Sequence, residues 1–169
     1  SAAALAPFPA AARARAVRIR TSQLSGGKYR SLDEPGLSRI AADKAYDRSG
    51  LTPADVDVVE LHDATSFCEI YQLEMLRLCP DGEGGRFIES GATALGGALP
   101  VNTSGGLVSK GHPVGPTGLS MVHETCLQLR GEAGERQVRD ARIGLIENGG
   151  GVMGFDEAAC AVTLLEKSS

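Results

Sequence analysis

Between Gly82 and Gly118 the chain places eleven of its 22 glycines, and the stretch from Asn102 to Gly118 sets one histidine, His112, between Gly111 and Pro113. Glycine permits positive φ and close approach of backbone to a neighbour, at an entropic cost that is sustained only where the loop shapes something. Proline fixes φ and suits a first helical position, and Gly115-Pro116 stands directly before a helical pattern. The stretch predicts a stiff loop holding an imidazole over a pocket, beside a helix N-terminus that favours negative charge. The plain alternative is an ordinary Gly/Pro loop with an incidental histidine.

A chain of 169 residues has the length of one domain with its own core. Aromatic residues make up 4% and Trp is absent, so that core is expected to be aliphatic and alanine-rich. The net charge of −4 argues against nucleic acid as a main partner, which would call for a basic face. Cys68, Cys79, Cys126 and Cys160 are scattered, with no Cys-x-x-Cys pair. They suggest no metal site and no disulfide framework, and reduced thiols fit a cytoplasmic location. No apolar run is long enough to span a membrane. Residues 1–15 read as a linker or an added start, with the domain proper over 16–169, so the chain is expected to be a piece of something longer.

Residues 16–25 alternate apolar and polar and predict a strand. Leu37, Ile40, Ala41 and Ala45 share one face of a helix that Gly50 closes. Thr52-Pro53-Ala54-Asp55 predicts a capped helical turn. Val56–Leu61 is apolar enough for a strand buried on both faces. Ser66 and Glu69 have capping-box spacing, before a helix expected to turn Phe67, Ile70, Leu73 and Leu76 inward. Phe87–Gly91 is a short strand or bend. A further helix carries Leu119, Val122, Cys126 and Leu129 at helical spacing, with His123 beside that stripe read as structural. Residues 131–140 are a charged surface turn. Ile143–Asn148 and Ala158–Glu166 are strands joined by a glycine turn, suggesting a hairpin at the sheet edge. The sum is a layered α/β domain with a mixed five-stranded sheet.

Three segments sit at strand ends: His62-Asp63-Ala64-Thr65, Gly111-His112-Pro113 and Glu147-Asn148-Gly149-Gly150-Gly151. Open α/β sheets put ligands at such places. Together they offer imidazoles, carboxylates and glycine N–H groups, the parts for proton transfer and oxyanion stabilisation, but no obvious nucleophile. For His62 and Asp63 the alternative is capping the next helix and pairing with each other. Cys68 reads as a core or helix thiol.

Across 16–166 these motifs resemble, in order, the C-terminal half of the thiolase superfamily. Asn102–Gly118 looks like its Gly-His-Pro signature. His62-Asp63-Ala64-Thr65 resembles the His-Asp-Cys-Phe motif of the sterol-carrier and lipid-transfer branch. Glu147-Asn148-Gly149 sits where classical thiolases carry Cys-x-Gly. The resemblance implies half of a two-domain, usually dimeric enzyme that makes or breaks a carbon–carbon bond next to a coenzyme A thioester. That thioester is a substrate, with no covalently bound cofactor implied. The nucleophilic cysteine would come from an N-terminal half, fused or separate. Carried over, His112 would activate that cysteine and help stabilise an oxyanion, His62 would hold a second oxyanion, and the Gly149 N–H would face the other oxyanion hole. Asn102, Ser109 and Gly111 are the positions set against coenzyme A. Relatives of this branch often work with a small zinc-ribbon partner that binds acyl-CoA.

Two departures matter: the acid/base cysteine is Glu147, and the cysteine of His-Asp-Cys-Phe is Ala64. Glu147 could move the α-carbon proton if burial raised its pKa. The alternatives are a retro-aldol lyase of the lipid-transfer type and a non-catalytic thiolase-fold module that dimerises or scaffolds a partner.

Overall fold

The alternation in residues 17–26 becomes the longest strand among the described residues, β1 (Val17–Gly26), which runs antiparallel to β4 (Ala159–Lys167). Next comes β3 (Ile143–Gly150), antiparallel to β4, and then β2 (Val58–Glu60), parallel to β3. The structure is a computed structural model describing residues 2–168, and its sheet has the order β1-β4-β3-β2. The mixed α/β sheet is as expected; four strands rather than five build it.

Phe87–Gly91, the segment read as the remaining strand or bend, belongs largely to a helix, α5 (Gly84–Glu89). Gly84 lies so close to the Ile70 carbonyl that a Cβ would sit 2.6 Å from it. This contact packs the segment on helix α4 (Ser66–Met75) instead of on a strand edge. The fifth position beside β2 holds a single parallel bridge, Val59 to Val101. Pro100, which has no N–H to offer, stands just before it. The β3–β4 hairpin is also not at the sheet edge. The chain's first strand returns to pair with β4, so the hairpin occupies the centre.

Helices cover both faces. On one, α3 (Leu37–Ser49) lays Ala41, Ala42 and Ala45, all fully buried, against the sheet, with Leu73 and Leu76 from the α4 region and Leu145, Val162 and Leu164 from the strands. Small residues let the helix approach closely, and each fully buried leucine contributes about 1.5–3 kcal/mol of transfer free energy. This is the aliphatic, alanine-rich core the composition implies. On the other face, α7 (Thr117–Arg130) packs Met121 and Leu129 on Val58, Ile146 and Leu165. Gly50 and Gly131 close α3 and α7 with positive φ.

Both helical faces correct the sequence reading in part. Thr65 is the N-cap of α4 without a side-chain cap bond, so the Ser66/Glu69 box does not form. Phe67 is 64% exposed and stacks on Tyr71. In α7, Leu119 is 72% exposed, Val122 and His123 are exposed, and the buried face is instead Thr117, Met121, Glu124, Thr125, Gln128 and Leu129. Two things turn the helix this way. Gly144 on β3 leaves room for Thr125, whose methyl would lie 2.3 Å from a Cβ there. Buried Gln128 and Glu124 are satisfied by the 131–140 turn: Gln128 donates to the Arg136 carbonyl at 2.7 Å and accepts from Val138 N–H at 2.8 Å, and Arg136 pairs with Glu124 at 2.9 Å. A polar buried face is invisible to apolar periodicity.

Ahead of β1, two short helices, α1 (Ala2–Leu5) and α2 (Ala10–Ala14), lie on the surface, with residues 3–14 exposed. A short helix, α6 (Gly106–Lys110), precedes α7 in the chain. Among the described residues no helix is long and apolar enough to cross a membrane.

Candidate active site

The C-terminal end of β2 holds the site together. Three groups there clasp the glycine loop: buried Glu60 accepts the Ser104 N–H at 3.1 Å, Leu61 N–H donates to Asn102 Oδ1 at 2.8 Å, and Asp63 Oδ1 accepts the Leu107 N–H at 2.7 Å. Lys110 adds an ion pair to Glu60 at 3.4 Å. His62 N–H instead reaches across to Glu147 Oε2, at 2.9 Å. Asp63 thus caps the start of α6, not the helix that follows it in sequence, and its carboxylate accepts from that backbone rather than from His62.

This clasp brings the two imidazoles together, with the His62 and His112 rings edge to face and their centroids 4.8 Å apart. His112 Nδ1 lies 2.8 Å from Thr117 Oγ1, whose own hydrogen goes to the Pro113 carbonyl at 3.0 Å. The hydroxyl has one hydrogen, so it accepts from Nδ1–H and leaves Nε2 of a neutral His112 with its lone pair free. His62 is half-buried; burial, then the neighbouring His112, hold its pKa below the usual value, against the pull of Asp63. A neutral imidazole there donates one N–H.

Both rings line a cavity of about 1000 Å³. Its walls include Phe67, Tyr71 and Met75 of α4, the Gly149–Gly151 bend, and Glu157. Another part of the wall is fixed by Arg30, which pairs with Asp156 at 2.6 Å, donates to Tyr71 Oη at 3.1 Å and lies over the Phe155 ring.

Glu147 is fully buried and lies behind the wall rather than on it. Its Oε2 is taken by His62 N–H and its Oε1 by the Cys160 thiol at 3.3 Å. Burial, then Glu157, push its pKa well above the carboxylate range, and the Gly149 N–H works the other way by stabilising its charge. Burial likewise raises Glu157, with Asp156 as the next cause. Gly149 is needed here for space: a Cβ would lie 1.9 Å from Glu157 Oε1.

Of the sequence-predicted site residues, the structure brings His62, His112 and Gly149 onto one cavity and sets Glu147 just behind it. Asn102, Ser109 and Gly111 do not line it: Asn102 is tied to Leu61, and Ser109 and Gly111 are exposed. Cys68, a helix thiol as read, is on the wall beside Thr65 at 3.1 Å, and Ala64 joins it there. Glu157, Tyr71 and Arg30 were missed, since nothing near them in sequence marks a site. The one available signal was the carboxylate of Glu157 at the start of an apolar strand.

Residues 29–163 match the family described as thiolase C-terminal domain-like. The chain belongs to that family. The domain is 51% identical over 132 residues to sterol carrier protein 2 of Homo sapiens, a match covering 73% of this chain and 24% of that protein. It is 43% identical over 143 residues to an acetyl-CoA acetyltransferase of Methanothermobacter thermautotrophicus, covering 82% of this chain and 37% of the relative. Among solved structures it superposes on the "Ltp2-ChsH2(DUF35) aldolase" with a TM-score of 0.76 and 25% identity, covering 89% of this chain and 39% of that one. This thiolase C-terminal domain therefore spans about a quarter to two fifths of the length of these proteins.

Proposed function

We propose that this thiolase C-terminal domain forms one wall of an acyl-CoA active site, where a carbon–carbon bond beside the thioester is made or broken and a cysteine from outside this chain is the nucleophile. The observation that carries the reading is the imidazole pair, with a Thr117-fixed His112 tautomer that leaves Nε2 free to take a thiol proton. The N–H of the His62 ring, distinct from the backbone N–H held by Glu147, then serves a developing oxyanion. The open side of the cavity supports a covering segment: Val114 and Val152 are 81% and 83% exposed at its mouth. An N-terminal half, fused or separate, would fill that role, with dimerisation and a small acyl-CoA-binding partner as further elements. Ser109 and Gly111, exposed beside His112, are the positions for coenzyme A contact, and Asn102 serves as a brace.

The second reading is retro-aldol cleavage of an acyl-CoA without a covalent acyl-enzyme. The glutamate at position 147 favours it, as does the likeness to a solved aldolase. The test is His112→Ala in the complete protein. Turnover of acyl-CoA substrates is expected to fall about 100-fold or more with the melting temperature unchanged; unchanged turnover would overturn the proposal. Recovery of an acyl-enzyme after denaturation separates thiolase from aldolase chemistry.

A further inference from the structure

We propose, on the acyl-CoA reading, that Glu157, backed by Glu147, is the residue that moves the α-carbon proton at this site. The motif comparison points to Glu147, yet Glu147 is fully buried, off the cavity wall, and committed at both oxygens to His62 N–H and the Cys160 thiol. Glu157 lines the cavity. Its Oε1 accepts the side-chain amide of buried Gln72 at 3.1 Å, and its Oε2 is buried without a partner among the described residues. Oxygens of both carboxyls and the Cys160 sulfur lie within 4.8 Å of one another.

Two carboxylates this close do not both ionise in a buried setting, so the pair holds a shared proton. The groups facing it are known. Gln72 and Tyr71 come from α4, Cys160 from β4 and His62 from the β2 end; Asp156 is adjacent in sequence. The nearby cation, Arg30, is committed to Asp156. Three of the four carboxyl oxygens accept a donor, two on Glu147 and one on Glu157. An ionised orphan oxygen at Glu157 Oε2 would bear an unrelieved desolvation cost, which a proton removes. Glu147, with its donors, carries the charge, and Glu157, the one of the two that lines the cavity, carries the proton.

The step balances without a co-reactant. When the unprotonated Glu157 acts as base, the α-carbon C–H bond breaks, the proton passes to the Glu157 carboxylate, and the electron pair enters the thioester as an enolate whose oxygen the imidazoles face. In the cleavage direction the Glu157 O–H bond breaks, and its proton goes to the α-carbon of the enolate left by carbon–carbon scission. The glycine at position 149 is what lets this carboxyl lie over the strand.

The test uses the complete protein, incubated with a saturated acyl-CoA in deuterated water, with α-carbon deuterium read by mass spectrometry. Glu157→Gln is expected to slow exchange about 100-fold or more, Glu157→Asp to restore part of it, and Glu147→Gln to shift the pH profile of exchange to lower pH. An infrared band of a protonated carboxyl, present in the unsubstituted protein and lost in Glu157→Gln, gives a readout independent of substrate. Exchange that persists in a folded Glu157→Gln protein but is lost in His112→Ala overturns this assignment and leaves the acyl-CoA reading standing. Absence of exchange in the unsubstituted protein overturns both. A stoichiometric divalent metal lost on Glu157→Gln would also overturn it, by making the cluster a metal site.

Discussion

Asp63 accepts the backbone N–H of Leu107 at 2.7 Å, and through this one bond the residue after His62 fixes the start of the helix that leads to His112. The carboxylate fits because Gly106 has no Cβ and a φ of 63°; a methyl there would lie 2.1 Å from Asp63 Oδ2.

Gly106→Ala is therefore expected to displace Asp63 and strain the backbone, costing about 2 kcal/mol or more. Denaturant midpoints of the complete protein measure the stability, and kcat/KM is expected to fall with it as the imidazoles lose their register. A midpoint equal to that of the unsubstituted protein would contradict the clasp.

Thr117→Val keeps the shape of a buried residue but removes the acceptor of His112 Nδ1–H. The imidazole then loses its fixed tautomer. We expect kcat to fall by about 10-fold to 100-fold with KM little changed, and Thr117→Ser to restore most of it. Equal kcat in Thr117→Val would show that the ring is held by something else.

The buried Glu147–Glu157 pair holds one proton to well above the ordinary carboxylate range, because both carboxyls are buried and lie side by side. The folded chain therefore holds a proton that the unfolded chain releases in the usual carboxylate range. Stability that this proton contributes is complete below that range and is lost as pH rises through it towards about 8. The slope is at most about 1.4 kcal/mol per pH unit for one proton. Melting temperatures across that window should decline in the unsubstituted protein and decline less in Glu147→Gln. Parallel curves would contradict a buried shared proton.

The 169-residue chain on its own is expected to show no coenzyme A-dependent cleavage of a β-ketoacyl-CoA, because the proposed nucleophile lies outside it. A robust rate, read from the loss of β-ketoacyl-CoA absorbance, would contradict a cysteine supplied from elsewhere.

Much of this arrangement was legible in the chain. Glycines closed α3 and α7 where expected, alternation marked β1, and the three loops carrying His62, His112 and Gly149 do meet. What was not legible depended on contacts between distant segments. Gly84 against Ile70 made a helix of a segment whose Phe87 and Ile88 read equally well as strand. Gly144 against Thr125 turned α7 so that Leu119 faced outward and Gln128 inward. Glu157 carried no local motif and gained its significance only when the hairpin folded it over Gly149.

The hairpin bearing Glu147 and Gly149 is flanked by strands on both sides. Any shift of its glycine bend must drag two ladders and the packing of both helical layers, so this part of the wall is mechanically stiff. The part of the wall formed by α4 and the residues around Arg30 is outside the sheet and is tied by side chains, Arg30 bonding Tyr71 and Asp156. Substitutions that reshape the cavity for a different acyl group are best tolerated on that softer wall, leaving the acid–base machinery undisturbed.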